Sequence, residues 1–359
     1  MKPKSVLYSI LLTHGFRERQ LGESIVLENP DKSAIAKAFK EGAVLFDLST
    51  RGKVEVTGPE AAMFLHNLCT NDINGMPIGA GCEAFFCNSR ARPVAWANIF
   101  HVLLSRGRQG FWIDLPPGTE EILLKHLDQH LISEQAEFCD RTSDFGQIHL
   151  TGSRSSTVLS AVIDSDLPPL GAWEHMERNI GPAICHIRRL DWLGQPGYDI
   201  AFLSKHAGGV IKSFKDLGVV LGDEESWQAK RIAAGLPESG MEITEQVFIP
   251  ELGRNKIAVC DNKGCYLGQE PIVMARDRGQ INRKLMLLKI PSDVPYPGMS
   301  IHLHGKEVGK ITSVAPSICG ETLALGFIRK EGWKSDSLRI ISSDNREGEG
   351  IEILPWPLQ

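Results

Sequence analysis

The sequence has no surplus of positive charge and no long apolar run. Its formal net charge at pH 7 is −5, which excludes a protein that covers nucleic acid with a broad basic surface and leaves only a local basic patch for an RNA partner. No stretch approaches the roughly 20 apolar residues that a membrane-spanning helix requires. The short apolar run at 5–12 is followed by charged residues and no small-residue cleavage pattern, which disfavours a signal peptide. These absences predict a cytoplasmic protein.

Cysteine is scarce as well. Eight cysteines in 359 residues lack the density of a disulfide framework. They stand at positions 69, 82, 87, 139, 185, 260, 265 and 319. Cys82 and Cys87, like Cys260 and Cys265, are separated by four residues, but no second pair completes a zinc module. The cysteines are therefore predicted to be reduced thiols, and no metal site is predicted.

Length and patterning predict several domains of the α+β class. A chain of 359 residues exceeds one comfortable hydrophobic core. Strand and helix signals alternate without a regular βαβ rhythm, which favours α+β over a doubly wound fold. From Lys284 onward, short alternating apolar runs are punctuated by proline and glycine, which predicts an all-β terminal domain shaped as a small barrel or sandwich. The predicted division is an N-terminal α+β region at 25–145, a second α+β region at 146–282 and the β domain at 283–359.

Capping residues predict where individual helices begin and end. Pro59 suits the first turn of a helix, because its fixed φ is pre-organised for that position. Thr119 and Asp223 are suited to the N-caps of two further helices. Gly235 is suited to the end of the second of these, since glycine adopts the left-handed conformation found there.

The most unusual local segment is Lys263–Pro271, which surrounds Cys265 with glycines. Glycines are placed where a chain turns tightly or approaches a ligand. The charge of Lys263 would favour the thiolate of Cys265, while Gln269 and Glu270 add an amide and a carboxylate. These four residues are the candidate catalytic residues. Composition alone leaves two other interpretations open, namely a surface turn with an incidental cysteine and a metal pair with the cysteine five positions earlier.

Within this segment, KGCYLGQE resembles the signature of the YgfZ-type folate-binding proteins, relatives of the glycine-cleavage aminomethyltransferase. Further segments resemble that superfamily in the same order: FDLSTRGKVEVTGPEAAMFLHNLCTNDI, RRLDWLGQPGYDI, RIAAGLPESG, EVGKITSVAPS and LALGFIRKE. The cysteine motif is specific to the YgfZ side, whereas the other segments are shared with the aminomethyltransferases. The resemblance implies a three-domain aminomethyltransferase-like architecture around a central cleft that binds tetrahydrofolate.

The resemblance also implies which residues hold the folate. A pterin presents an N–H and an amino group side by side, which a carboxylate accepts in a bidentate manner. Asp199, next to Tyr198, stands where the aminomethyltransferases usually carry a glutamate. Trp227 and Arg231 lie four residues apart on one helix face and would supply an aromatic plane and a cation for a folate carboxylate. Arg51 is a weaker candidate. Structural alternatives remain open: an aspartate that ends a hairpin, a core tryptophan and an exposed arginine.

One segment departs from the aminomethyltransferases. Where they carry a pair of aspartates, one of which assists proton movement at the folate nitrogen, this sequence has Ala95 and Trp96. Neither side chain can transfer a proton from a carboxyl group. Trp96 and Asn98 instead resemble the Trp-x-Asn of the YgfZ branch and join the candidate folate contacts. The departure argues against aminomethyl transfer.

The expected function is that of a tetrahydrofolate-binding accessory protein in the assembly or repair of iron–sulfur enzymes, including those of tRNA modification. Cys265 would act as a thiolate or transient ligand, and the expected partners are folate and iron–sulfur proteins or tRNA-modifying enzymes. The alternative is a folate-dependent aminomethyl- or methyltransferase, or a demethylase, with Glu83, Asp199 or Glu238 as the acid–base group. A third interpretation is a structural adaptor with a decayed folate cleft. The locally basic segment 276–289 is either a solvated face or a contact for a folate tail, a protein or tRNA.

Overall fold

A computed structural model describes residues 4–21, 24–104, 107–279, 281–291, 295–316, 321–341 and 347–357. The chain divides into two compact units. Unit 1 consists of Met1–His66, Asp72–Glu83 and Ala97–Trp227, and unit 2 consists of Asn67–Asn71, Ala84–Trp96 and Gln228–Gln359. The division into three regions stays a prediction.

Helices and strands alternate along the chain. The helices are α1 (Tyr8–Thr13), α2 (Lys32–Glu41), α3 (Ala61–Leu68), α4 (Glu120–His130), α5 (Ser155–Val162), α6 (Ala207–Asp216), α7 (Glu224–Ala233), α8 (Asn255–Ala258) and α9 (Gln269–Arg278). The strands before α7 are β1 (Arg17–Leu21), β2 (Ser24–Glu28), β3 (Val44–Asp47), β4 (Gly52–Thr57), β5 (Gly81–Cys87), β6 (Pro93–Leu103), β7 (Gln109–Leu115), β8 (Glu137–Asp140), β9 (Phe145–Thr151), β10 (His175–Ile180), β11 (Ala183–Arg189), β12 (Gly197–Leu203) and β13 (Val220–Leu221). The strands after α9 are β14 (Arg283–Ile290), β15 (Ser300–Leu303), β16 (Lys306–Val314), β17 (Thr322–Arg329), β18 (Leu338–Ile341), β19 (Glu347–Gly350) and β20 (Glu352–Leu354).

Two large sheets organise unit 1. One has six strands in the order β10-β11-β12-β9-β3-β13 and is antiparallel except for the pair of β3 and β13. The other has five strands in the order β5-β6-β7-β4-β8, of which β5 and β6 extend along the chain into unit 2. Because successive side chains of a strand point to opposite faces, each sheet separates one set of residues from another.

One face of the six-stranded sheet forms the apolar core of unit 1. Its strand residues, among them Ile148, Leu150 and Ile200, form one buried cluster with side chains of α1, α5 and α6. Leu7 and Leu11 of α1 belong to this cluster. Full burial of a leucine stabilises a fold by roughly 1.5–3 kcal/mol, so the N-terminal helix contributes to the stability of unit 1.

Unit 2 contains an antiparallel barrel. Its strands follow the order β19-β18-β15-β16-β17-β14-β20. β19 pairs with β18 and β20 pairs with β14, while only Ile351 separates β19 from β20 in the chain. The segment 347–354 therefore pairs with both ends of the sheet and closes it around a core that includes Leu288, Ile301 and Ile340. The predicted α+β class and the predicted terminal β domain are confirmed.

The predicted caps differ in outcome. The Asp223 carboxylate accepts a hydrogen bond from the backbone N–H of Ser226 at 3.0 Å, as an N-cap does, and Gly235 follows α7 with φ +69°. Thr119 does precede α4, but the N-cap hydrogen bond predicted for its side chain does not form. Its hydroxyl donates to the carbonyl of Pro116 at 2.8 Å and caps no N–H of α4, because a threonine hydroxyl also bonds locally to backbone carbonyls.

Candidate functional site

A row of polar side chains crosses the second face of the six-stranded sheet in unit 1. Asp199 on β12 lies opposite His149 on β9 and opposite Arg188 on β11 in the strand register. Asp199 and His149 are 0% exposed and Arg188 is 1% exposed. Burying a charged group without partners is costly, so the contacts of these three residues need to be accounted for.

A second row of buried polar side chains crosses the five-stranded sheet. Asp114 on β7 lies opposite Lys53 on β4 and Asn98 on β6, and all three are buried. The ammonium of Lys53 donates to the carbonyls of Ser49 at 3.0 Å and Arg51 at 2.7 Å. Burial lowers the pKa of Lys53 to about 8, and the charge of Asp114 opposes this effect. Lys53 is therefore held inside unit 1 by two carbonyls, and the charge of Asp114 favours its protonated form.

Direct contacts join the two rows. Arg188 forms an ion pair with Asp114. The amide nitrogen of Gln147 donates to the Asp114 carboxylate at 3.2 Å and to the Asp199 carboxylate at 2.8 Å. We call this set of residues the polar layer. Its members are Lys53, Asn98, Asp114, Gln147, His149, Arg188 and Asp199.

Both carboxylate oxygens of Asp199 are engaged inside the polar layer. Oδ2 accepts from Gln147, and Oδ1 lies 2.6 Å from Nδ1 of His149. Because Nδ1 faces a carboxylate, it carries a proton, and the neutral ring then has Nε2 as an acceptor. Trp192 stacks on the imidazole with ring centres 5.8 Å apart, and Trp227 packs edge-on at 5.5 Å. Asp199 and Trp227 thus lie in one cluster, but His149 stands between them.

Glycine is sterically required before Tyr198. A Cβ at Gly197 would lie 2.7 Å from Cε1 of His149 and 2.3 Å from the carbonyl oxygen of Leu190. Real Cβ atoms do not approach backbone atoms so closely, so any larger residue would force the strand off the imidazole. The glycine of Gly197-Tyr198-Asp199 therefore keeps β12 tightly packed on His149.

Four polar atoms of this layer have no hydrogen-bond partner within the part of the chain that the structure describes: Asn98 Nδ2, Gln147 Oε1, His149 Nε2 and Arg188 Nε. About nine-tenths of buried polar groups in proteins are paired, so four such atoms in one layer require a cause. Two are donors, and two are acceptors when His149 carries its proton on Nδ1. The layer is chemically suited to a buried ligand that carries both donors and acceptors.

Tyr198 lies on the opposite face of β12 from Asp199, because consecutive strand residues alternate. Its hydroxyl is 2.8 Å from the hydroxyl of Ser156 and accepts a hydrogen bond from Arg189 at 3.0 Å. These residues line a separate cleft of about 430 Å³. The structure does not bring Tyr198 together with the polar layer.

Two further candidates in unit 1 lie beside aromatic rings. The guanidinium of Arg51 is 4.6 Å from the centre of the Trp192 ring, which itself stacks on His149. The side-chain oxygen of Asn98 accepts a hydrogen bond from the indole of Trp173 at 2.8 Å. Arg51 is therefore near the polar layer, and Asn98 belongs to it.

Trp96, at the end of a segment of unit 2, is buried, with the guanidinium of Arg254 5.9 Å from its ring centre. Its neighbour Ala95 is buried as well. Neither side chain exchanges protons, so this segment provides no acid–base group.

Arg231 is surrounded by acceptors within unit 2. It donates to the side chain of Gln228 at 2.5 Å and to the hydroxyl of Ser313 at 2.9 Å. It forms ion pairs with Glu238 at 3.0 Å and with Glu242 at 3.4 Å. Glu242 is 0% exposed and also accepts from Ser313 at 2.6 Å. The geometry favours a structural role for this arginine.

Cys265 is exposed and precedes α9 in unit 2. Lys263 is buried, and its ammonium donates to the carbonyls of Cys69 at 2.8 Å and Asn71 at 2.7 Å. An ammonium that binds two carbonyls is held in place by them. Its role toward the thiolate of Cys265 stays a prediction.

The remaining loop candidates belong to α9. Gln269 and Glu270 are its first two residues. Gly268 precedes them with φ +84°, and a Cβ at that position would lie 2.5 Å from the carbonyl oxygen of Asn88. This glycine therefore allows the loop to pack against the backbone that follows β5.

The neighbouring thiol of Cys87 differs from Cys265. It is buried, donates to the carbonyl of Leu267 at 3.0 Å, and has its pKa raised by burial to about 12. A thiol of this kind is inert at neutral pH. Among the described residues, no group of three or more histidines, cysteines or carboxylates could hold a metal ion. Cys319 lies outside the described residues.

The basic segment at 276–289 is paired locally. Its ion pairs join Arg276 to Asp261 and Asp277, Arg283 to Glu251, and Lys289 to Glu321. Exposed pairs of this kind contribute little to stability, but they offset most of the positive charge. The solvated-face interpretation therefore agrees with the geometry.

Most of the polar layer is missed by reasoning from the sequence. Gln147, His149, Asp114, Arg188 and Lys53 are not among the site residues that the sequence predicts. A signal exists for three of them: Asp114, Gln147 and His149 interrupt largely apolar strand segments, as in Trp-Ile-Asp114-Leu and Gly-Gln147-Ile-His149-Leu. Polar residues at alternate positions of a strand with two buried faces indicate a buried polar layer.

Comparison with known proteins defines the class. The family model described as the GCVT N-terminal domain matches residues 30–257, more than half of the chain, so the chain belongs to this family. A putative chloroplastic transferase of Arabidopsis thaliana is 28% identical over 92% of this chain and 75% of its own length. The aminomethyltransferase of Desulforamulus reducens is 25% identical over 90% of this chain and 89% of its own length.

A solved structure supports the fold. The glycine cleavage system aminomethyltransferase T of Bartonella henselae superposes with a TM-score of 0.87 and 18% identity, covering 99% of this chain and 98% of that protein. The predicted aminomethyltransferase-like architecture is confirmed, while the YgfZ branch stays a prediction. These relatives support the transferase alternative better than the accessory role. Within the described residues, no helix is long and apolar enough to cross a membrane.

Proposed function

We propose that this chain binds tetrahydrofolate and acts as a folate-dependent transferase of one-carbon groups. The observation that carries the proposal is the polar layer of unit 1, where two donors and two acceptors are buried without partners among the described residues. The names of the relatives, several of them aminomethyltransferases, favour this reaction class. The cytoplasmic location rests on the sequence alone.

The chemistry of a pterin suits these four atoms. Its ring edge carries an N–H and an amino group as donors, and a carbonyl and ring nitrogens as acceptors. Gln147 Oε1 and His149 Nε2 would accept from the former, and Asn98 Nδ2 and Arg188 Nε would donate to the latter. When bound, tetrahydrofolate supplies the nitrogen that accepts or gives up the one-carbon group. The protein's part is to orient the ring and to exclude water from it.

Transfer needs a proton donor or acceptor, and the three carboxylates considered from the sequence differ in their surroundings. Glu83 is buried in unit 1. Asp199 has both oxygens engaged. Glu238 is paired with Arg231 at 3.0 Å in unit 2. All three stay candidates for this role.

Calorimetric titration with tetrahydrofolate tests the binding half of the proposal. We expect saturable binding that Gln147→Met weakens at least about tenfold, because it removes the acceptor Oε1 offered to the ligand and also the two hydrogen bonds to Asp114 and Asp199 that order the polar layer. Tyr198→Phe is the matched control, since Tyr198 faces away from the polar layer, and should bind as the unaltered protein does. No binding at high micromolar concentration would refute the proposal.

The transfer half is tested separately. The protein is mixed with tetrahydrofolate and an aminomethyl donor carried on a lipoyl protein, and formation of methylene-tetrahydrofolate is followed. Product above the uncatalysed rate is expected. Binding without any product would contradict transfer of this group and leave the binding half intact.

A second candidate function is the accessory role in iron–sulfur assembly or tRNA modification, favoured by one observation. Cys265 is exposed, whereas Cys69, Cys87 and Cys185 are buried. An accessible thiol can react or bind transiently to a partner. Cys265→Ala should abolish complementation of a strain lacking the native protein, and Cys139→Ala, at another exposed cysteine, should not. Full complementation by Cys265→Ala would rule out this role.

A further inference from the structure

We infer that His149, rather than Asp199, makes the direct contact with the heterocycle, and that Asp199 is a positioning residue that fixes the tautomer of His149. The inference deepens the proposed function and rests on it. In this arrangement the pterin is bound by the imidazole of His149, and the carboxylate of Asp199 binds the imidazole instead of the pterin.

The first step of the argument is the occupancy of Asp199. Its two oxygens accept from His149 at 2.6 Å and from Gln147 at 2.8 Å, and its side chain is 0% exposed. A carboxylate that receives a donor on each oxygen has little capacity left for the paired donors of a pterin. Direct recognition would require both internal bonds to break and would leave two buried groups unpaired.

The second step is the state of His149. The hydrogen bond to Asp199 places a proton on Nδ1, and in the neutral imidazole Nε2 is then an acceptor. Nε2 is buried and has no partner among the described residues. It therefore presents the kind of acceptor that an N–H of a pterin requires.

The third step is the rigidity of the imidazole. Trp192 stacks on it and Trp227 packs against it edge-on, and the absence of a Cβ at Gly197 leaves unfilled the space beside its Cε1 and Nε2. A ring enclosed on these sides and bonded at Nδ1 loses little freedom when Nε2 gains a partner. Such pre-organisation favours binding.

A double-mutant cycle tests the inference. Tetrahydrofolate is titrated into the unaltered protein, His149→Asn, Asp199→Asn and the double variant. The amide introduced by His149→Asn can still donate to Asp199 but lacks the distal acceptor, so we expect about tenfold weaker binding. The amide introduced by Asp199→Asn can donate to Nδ1 and shift the imidazole proton to Nε2, which should weaken binding by a similar factor. The double variant should bind no more weakly than His149→Asn, because Asp199 acts only through His149.

The conservative variant and the control sharpen this test. His149→Gln places an amide oxygen near the position of Nε2 and should recover binding to within about threefold of the unaltered protein. His126→Asn removes another buried histidine of unit 1 and should leave the affinity unchanged. Additive losses in the double variant would show that Asp199 touches the ligand directly and would overturn the inference.

A measurement on the unaltered protein covers the case in which a variant does not fold. Nitrogen-15 labelling of the histidines reports the tautomer, and the free protein should show His149 protonated at Nδ1 only. Addition of tetrahydrofolate should shift the Nε2 resonance of His149. Binding without that shift would overturn the inference and keep the proposed function, whereas absence of binding would remove the proposed function itself.

Discussion

The two units each bury a charged arginine, and the surroundings of the two arginines differ. In unit 2, Arg231 is matched by Gln228, Ser313, Glu238 and Glu242. In unit 1, Arg188 pairs with Asp114, but its Nε and three other atoms of the polar layer have no partner among the described residues. A saturated cluster fixes a fold, whereas an unsaturated one has capacity for a ligand.

The largest expected effect tests the saturated side of this comparison. Arg231→Met should lower the free energy of unfolding by about 4 kcal/mol, because it leaves the fully buried Glu242 without its cation. Urea unfolding measures this change. Lys289→Ala, at an exposed ion pair with Glu321, should cost less than about 1 kcal/mol. A stable Arg231→Met protein that no longer binds tetrahydrofolate would instead assign this arginine to the ligand.

Asp114→Asn tests the charged half of the polar layer. It removes the carboxylate that pairs with Arg188 and that opposes Lys53 across the strand register, so we expect a loss of about 3 kcal/mol in urea unfolding. The loss is smaller than for Arg231→Met, since the asparagine oxygen can still accept from Arg188. An unchanged midpoint of urea unfolding would mean that Arg188 and Lys53 form other contacts in the variant, and would contradict this prediction.

The buried histidines predict that unit 1 is sensitive to acid. Burial lowers the pKa of His126 and of His175 to about 4, and that of His186 to about 3. The unfolded chain binds these protons near pH 6.5, so the stability that the neutral histidines contribute is fully present above about pH 6.5 and is lost as the pH falls toward 4 for His126 and His175 and toward 3 for His186. Between pH 6.5 and 5.5, each histidine costs up to about 1 kcal/mol. His175→Gln should reduce the slope of stability against pH, and an unchanged slope would contradict this.

The smallest expected effect concerns the outer face of β12. Tyr198→Phe removes a hydroxyl that lies 2.8 Å from Ser156 and accepts from Arg189 at 3.0 Å. We expect a loss of about 1 kcal/mol in thermal unfolding and no change in tetrahydrofolate affinity. A marked loss of affinity would place the ligand on this face and reverse the contrast with the polar layer.

Local signals predicted much of the fold but little of the polar layer. The helix after Pro59, the cap at Asp223 and the terminal barrel depend on short-range patterns of turn residues and apolar spacing. The contact between Asp199 and His149 joins residues 50 positions apart. It depends on the order and register of strands, which a single sequence does not specify. Asp199 was therefore identified as important, while the partner that engages it was not.

The last strands of the barrel have a consequence for any shortened form of this protein. A chain cut before residue 347 would lack the segment that pairs with both β18 and β14, and the barrel would become an open sheet with two bare edges. Bare edges present unpaired N–H and C=O groups that recruit strands from other molecules. We therefore expect the shortened chain to associate through these edges more readily than the full chain does.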